Sequence, residues 1–182
     1  MWYNITGDLM KYIPKMYQKS IFDISYDKLK EKGIKCLIFD LDNTLGLIDQ
    51  ELPNSDVVEL FNKLKKDFDL YILSNNSKMD RVDKYKDALG CKAQNKALKP
   101  FTRGLRKIKE TGNYEKSEMA IIGDQLVTDI YAGTRYGIIT VLVDPLGEKD
   151  LWVTIFNRIK ENRKLRKYKK KNVFERGKYY GW

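Results

Sequence analysis

The sequence predicts an α/β domain: a Rossmann-like parallel sheet with helices on both faces, and a basic helical extension at the C-terminus. Two observations predict it. Short, almost continuously apolar runs alternate with longer amphipathic stretches from Ile34 onward, the order expected of strands buried on both faces and their crossover helices. Several of those runs end directly in polar clusters, which is where open parallel sheets place their ligands.

Taken in order, Ile34–Phe39, Leu70–Leu73, Met119–Ile122 and Ile138–Val143 have the length and hydrophobicity of buried strands, with a further short strand at Cys91–Ala93. Between them, Ser55–Lys66, Lys78–Leu89, Phe101–Thr111 and Val127–Tyr136 carry helical periodicity. Asn54 and Ser55 are candidate caps for the first helix, and Gly90 a terminator for the second. This divides the chain into an N-terminal arm (1–33), the α/β domain (34–150) and a C-terminal extension (151–182). In the arm, Met10, Ile13, Met16 and Tyr17 have helical spacing, interrupted by Pro14. The expectation is an amphipathic arm packed on the sheet, the alternative a membrane- or partner-facing one.

A length of 182 residues suits one domain with a real core. The longest run free of charge is eight residues, against roughly 18 for a membrane span. The opening Met1-Trp2-Tyr3-Asn4 lacks the basic-then-apolar order of a secretory signal, so the expected location is the cytoplasm. Two cysteines and no histidine exclude a disulfide framework, a zinc site and Ser-His-Asp chemistry. Catalysis must come from carboxylates, hydroxyls, amides, lysine or a metal.

The polar clusters meet that requirement. One run leads into Asp40-Leu41-Asp42-Asn43-Thr44-Leu45, the next into Ser74-Asn75-Asn76, and Ile121-Ile122 into Gly123-Asp124-Gln125 with Thr128-Asp129 beyond; Lys99-Pro100 precedes a helix. Residues i and i+2 near a strand end face the same side, so Asp40 and Asp42 are expected to face one substrate. Together with Asp124 they offer hard oxygen ligands suited to Mg²⁺. One carboxylate can attack phosphorus while a second carboxylic acid protonates the departing oxygen. Ser74 and Lys99 supply a hydroxyl and a cation for the transferring charge.

These residues resemble the four ordered motifs of the haloacid dehalogenase (HAD) superfamily, over about Ile34 to Asp144. The resemblance implies that Asp40 is nucleophile and metal ligand, that Asp42 is general acid/base, and that Asp124 completes a magnesium site. Ser74 and Lys99 would hold the phosphoryl group, with Asn75 a further candidate beside them. Thr44 would support the first-motif loop, and Asp129 matches the second acidic position of the last motif, either touching the metal or supporting the site from behind. The intervals from Asp42 to Ser74 and from Ser74 to Lys99 each hold about one helix and one strand, so the site is expected to lack a cap and to admit bulky substrates. Size, the Gly33-Ile34-Lys35 lead-in and the basic extension are similar to the capless IIIA, YqeG-like subgroup. That implies a phosphorylated lipid headgroup as substrate, as in phosphatidylglycerophosphate phosphatases. Nucleic-acid ends, phosphoproteins and small metabolites are alternatives.

The net charge is +10, and Arg158–Lys178 holds eleven Lys and Arg against two acids, so nearly all of it sits there. Just upstream, Leu151, Trp152, Ile155, Phe156 and Ile159 fall on one helical face. Aromatic residues beside Lys and Arg suit a helix in a membrane interface, and clustered basic residues are drawn to anionic lipid. The expected partner is therefore an anionic membrane surface on the cytoplasmic side. A non-enzymatic module that holds nucleic acid through the basic tail is the alternative.

Overall fold

The apolar run Cys36-Leu37-Ile38-Phe39 becomes the central strand of the sheet because its two sets of alternating side chains both find a core. Leu37 and Phe39 join Val57, Phe61, Val82 and Tyr85 on one face. Cys36 and Ile38 join Leu105, Ile108 and Ala132 on the other. A strand covered on both sides has no polar face to show. The Phe39 and Phe61 rings lie 5.0 Å apart, and truncating Phe61 to alanine is expected to cost about 3–5 kcal/mol.

The computed structural model describes residues 11–75, 79–94, 97–147, 163–166, 168–171 and 173–182. Its strands are β1 (Met16–Gln18), β2 (Cys36–Phe39), β3 (Asp69–Leu73), β4 (Lys92–Gln94), β5 (Met119–Gly123) and β6 (Ile139–Val143). They form one sheet in the order β1-β6-β5-β2-β3-β4, with every pairing parallel. Helices α1 (Tyr26–Glu31), α2 (Ser55–Leu64) and α3 (Met79–Leu89) cover one face; α4 (Arg103–Gly112) and α5 (Tyr131–Tyr136) cover the other. A π-helical turn, Leu126–Ile130, leads into α5. The chain runs outward from β2 to β4, then returns to β5 on the opposite side of β2. The carboxyl ends of β2 and β5 thus meet at a topological switch point, where a crevice opens.

Between Asp42 and Ser74 lie α2 and β3, and between Ser74 and Lys99 lie α3 and β4. Neither interval holds a further domain among the described residues. Asn54 occupies the cap position of α2 without a side-chain capping bond; its Oδ1 accepts from Gln50 Nε2 at 2.7 Å instead. Gly90 ends α3 with a φ of +56°.

The arm departs from the helical spacing of its apolar residues. Met16–Gln18 is a strand, with Met16 beside Val141 and Tyr17 beside Leu142. Met16 and Tyr17 are both fully buried, one in the core under α1 and α2, the other on the opposite face with Leu126 and Ile130. Adjacent residues buried on opposite faces are a strand pattern, and Pro14, which has no N–H to give a helix, precedes them. Met10 lies outside the described residues.

The described part of the C-terminal extension also packs on this fold. Tyr168 and Phe174 are buried against Tyr17, Leu126, Ile130 and Leu142. Tyr180 bridges Tyr17 in antiparallel fashion, with bonds of 2.8 and 2.9 Å. The expected amphipathic face from Leu151 to Ile159 lies outside the described residues. No helix among the described residues is long and apolar enough to cross a membrane.

Candidate active site

Asp40 is the first residue beyond β2, and its N–H still donates to Ile122 O at 2.9 Å. The ladder thus fixes the aspartate where the strand stops. The chain then turns at once: Asn43 has a φ of +60°, a left-handed conformation that asparagine tolerates better than most side chains. Asn43 N donates to Gly46 O at 2.9 Å, and Leu146 N donates to Asn43 O at 2.9 Å, tying this loop to the one after β6. Thr44 is buried within the turn.

Lys99 reaches the same point from the loop after β4. Its backbone is held at both ends by one side chain: Lys99 N donates to Asn75 Oδ1 at 2.7 Å, and Asn75 Nδ2 donates to Lys99 O at 3.0 Å. The buried ammonium lies 2.6 Å from Asp40 Oδ1 and 2.7 Å from Asp129 Oδ1. Burial alone would favour its neutral form, but Asp129 and Asp40 outweigh that and hold its pKa above the ordinary lysine range. Burial pushes the Asp40 carboxyl up to about 7; Lys99 opposes the rise, and Asp129 and Asp42 add to it.

Asp124 follows β5, and Asp129 comes from the π-helical turn, where its Oδ2 accepts from Gln125 N at 3.2 Å. Asp40, Asp124 and Asp129 are all buried, and ligand oxygens from the three lie within 4.8 Å of one another. Among the described residues, these three carboxylates gather around the buried Lys99 ammonium. That donor set fits a hard divalent cation, which would offset the repulsion.

Of the ligand set expected from sequence, Asp40, Asp42 and Asp124, the structure brings the carboxylates of Asp40 and Asp124 together. The alternation that would put Asp40 and Asp42 on one side holds for extended chain, and the chain is already turning. Asp42 instead pairs through Oδ1 with Arg81, while Asp129 joins Asp40 and Asp124. Ser74 is fully buried at the end of β3, and its carbonyl accepts from Ala97 N at 3.0 Å. Asn75, read as a phosphate-binding candidate, grips the backbone of Lys99.

Two arginines at the site escaped the sequence reading. Arg81, on α3, is buried; besides Asp42 it donates through Nε to Gln50 O at 2.7 Å and through Nη2 to Leu47 O at 2.6 Å. The signal was faint: Arg81 sits beside buried Val82 and one turn before buried Tyr85, on the apolar side of its helix. Arg176, in the extension, donates through Nη2 to Asp124 O at 3.1 Å. No pattern in the sequence pairs it with a residue 52 positions earlier.

The chain is similar to several known proteins. A family model described as mitochondrial PGP phosphatase matches residues 4–147. The chain is 36% identical over 161 residues to the "Probable phosphatase YqeG" of Bacillus subtilis, covering 88% of this chain and 93% of that protein. It is 26% identical over 155 residues to phosphatidylglycerophosphate phosphatase 1, chloroplastic/mitochondrial, of Arabidopsis thaliana. That match covers 80% of this chain and 44% of the plant protein, so the chain spans less than half its length. A HAD-like family hydrolase from Porphyromonas gingivalis shares the fold, with a TM-score of 0.51, 13% identity, and coverage of 70% of this chain and 98% of that one. The purely binding reading of the basic tail is thereby set aside: the chain is a phosphoric monoester hydrolase with the fold of a HAD-like hydrolase, and it belongs to the mitochondrial PGP phosphatase family.

Proposed function

We propose that this phosphatase removes the terminal phosphate from a phosphorylated lipid headgroup, phosphatidylglycerophosphate or a close chemical relative, at the cytoplasmic face of a membrane. The reaction depends on Mg²⁺ and passes through an aspartyl phosphate on Asp40. The observation that carries the reading is Asp40 itself, held at a strand end 2.6 Å from Lys99, with no cap domain over the crevice among the described residues. The kinship with a plant phosphatidylglycerophosphate phosphatase supports the substrate class.

Asp40, Asp124 and Asp129 would hold the ion, which supplies Lewis acidity toward a phosphoryl oxygen and neutralises their charge. A carboxylate oxygen of Asp40 attacks phosphorus as the bond to the ester oxygen breaks. Asp42, as the acid, gives its proton to the departing alkoxide. Water then attacks the aspartyl phosphate while the Asp42 carboxylate takes its proton; inorganic phosphate leaves and the Asp40 carboxylate is restored. Lys99 offsets charge on the group in transit, and Arg81 holds Asp42 beside the crevice between these proton transfers.

The test is phosphate release from vesicle-borne phosphatidylglycerophosphate, compared with nucleotide monophosphates, sugar phosphates and a phosphopeptide, with Mg²⁺ and after chelation. Acid quenching of the wild type should trap covalent phosphate on Asp40, and Asp40→Asn should trap none. A lipid turned over no faster than the soluble panel, or phosphate trapped on another residue, would refute the reading.

A further inference from the structure

The large apolar side chains left exposed are not scattered over the surface. Among the described residues, Phe22, Leu47, Leu52, Leu98, Phe101 and Leu146 are between 41% and 63% exposed. All six sit in the segments that follow the carboxyl ends of strands β1, β2, β4 and β6, Phe22 in a short 3-10 turn and the others in loops. The other exposed large apolar residues, Tyr179, Tyr180 and Trp182, belong to the C-terminal segment. Among the described residues, the turns at the opposite end of the sheet present none.

Four of the six flank the mouth of the crevice. On one side Leu47 meets the loop of Leu146: a Cβ on Gly147 would come within 2.6 Å of Leu47 Cδ2, and Leu146 N bonds the Asn43 carbonyl of the Asp40 loop. On the other side Leu98 and Phe101 bracket Lys99, with Phe101 N donating to Leu98 O at 2.9 Å. Apolar groups clustered in water around a catalytic mouth contribute little to folding and mark a contact surface.

We infer that this apolar rim is the surface by which the enzyme docks on a lipid bilayer, with Leu47, Leu146, Leu98 and Phe101 entering the interface around the crevice. The inference rests on the lipid-headgroup reading and adds a mode of access: the substrate keeps its acyl chains in the bilayer while its phosphate rises into the crevice. Charge favours a bilayer over a protein as the occupant. The chain carries +10, and nearly all of it lies in the segment whose Tyr168 packs on Leu126 and Ile130 and whose Arg176 bonds Asp124 O. Among the described residues, Arg176 of that segment sits on the loops after β5 and β6, so basic charge adjoins the rim, the combination that holds interfacial proteins on anionic lipid. The basic segment supplies long-range attraction that salt screens, and the rim supplies apolar contact that salt does not.

The experiment uses the full chain and vesicles of mixed zwitterionic and anionic lipid, with binding followed by co-sedimentation. At about 0.5 M salt, where exposed charges are screened, Phe101→Ser/Leu146→Ser should bind about tenfold more weakly than the wild type. Hydrolysis of a soluble aryl phosphate should stay within about twofold. Leu146→Trp should bind more tightly than the wild type, an outcome that does not depend on the double variant folding. Equal vesicle binding by the wild type and Leu146→Trp, or by the wild type and a folded double variant at high salt, would overturn the rim. So would a dimer, abolished by the double variant, in a protein that leaves vesicles unbound; a second copy would then be the occupant. Rim-dependent binding by a protein that hydrolyses no lipid monoester would defeat the substrate reading alone, whereas rim-independent lipid hydrolysis would defeat the rim alone.

Discussion

The guanidinium of Arg176 donates to the backbone carbonyl of Asp124 at 3.1 Å and lies 3.4 Å from the Asp144 carboxylate. Asp144 also accepts hydrogen bonds from the hydroxyls of Tyr17 and Tyr179. The last stretch of the chain is thus fastened to the loops after β5 and β6. The basic extension, which the sequence sets apart as an appendage, has its end built into the wall of the crevice.

Removing Arg158–Trp182 is therefore expected to harm more than membrane contact. It exposes Tyr17, Leu126, Ile130 and Leu142, now buried with Tyr168 and Phe174, and should cost about 3 kcal/mol or more of stability. The point variant Arg176→Met keeps that packing and loses only the polar contacts. It should remain folded while turnover of a soluble phosphate ester falls about tenfold, through a looser Asp124. Urea unfolding and steady-state kinetics on the two proteins separate the effects; unchanged stability in the truncation would contradict the account.

Arg81 satisfies three acceptors from one planar group: Asp42, Gln50 O and Leu47 O. Replacing it with methionine removes the donors for two loop carbonyls and the ion pair of a largely buried carboxylate, at a cost of about 3 kcal/mol. Turnover should fall with it, because the loop carrying Asp42 loses its anchor to α3. Arg81→Lys should restore less than half of the loss, since a single ammonium cannot reproduce a three-way fork. Full rescue by lysine in chemical unfolding would show that charge alone matters here.

A divalent cation should stabilise the protein even without substrate. At a concentration about a hundredfold above its Kd, Mg²⁺ adds about 2.7 kcal/mol, a rise in Tm of about 5–10 °C for a chain of this size. Asp124→Asn should abolish that rise and, in chelator, melt above the wild type, because one of three mutually repelling buried carboxylates is gone. Thermal melts with and without Mg²⁺ read both effects. A wild type indifferent to every divalent ion would count against a metal site.

Most of the sheet was legible because burial on both faces leaves strong marks: Leu37-Ile38-Phe39 and Ala120-Ile121-Ile122 can hardly be anything but central strands. β1 was not, because three residues are too few to show a period and Met16 and Tyr17 also fit a helix. Asp40 and Asp124 were legible from their places at strand ends, and Lys99 from its place just before a helix. The partner of Asp42 was not, since it depends on how the chain turns at Asn43 and on an arginine 39 positions away. Local pattern places a residue on an element, but which side chains meet across the crevice is decided by tertiary packing.

Gly123 offers the sharpest test of that packing. It is the last residue of β5, paired beside Leu142 of β6, so its backbone has little room to retreat. A Cβ built there would lie 2.4 Å from Asp129 Cγ and 2.5 Å from Asp129 Oδ2, far inside van der Waals contact. Asp129 is fully buried, held by Lys99 Nζ on one oxygen and Gln125 N on the other. In Gly123→Ala the carboxylate must move, and both contacts stretch or break. A shift of about 1 Å at a catalytic group costs about a hundredfold in rate, while one added methyl in a packed site costs about 1–3 kcal/mol in stability. Gly123→Ala should therefore fold, lose about two orders of magnitude in kcat on a soluble ester, and lose affinity for Mg²⁺ in the thermal assay. The cause can be isolated with a double-mutant cycle. If the methyl acts by displacing Asp129, then in an Asp129→Ala background the same Gly123→Ala change should have almost no further effect, because the side chain it would strike is gone. Additive losses in the cycle, or wild-type turnover in folded Gly123→Ala, would mean that the methyl does not act by displacing Asp129.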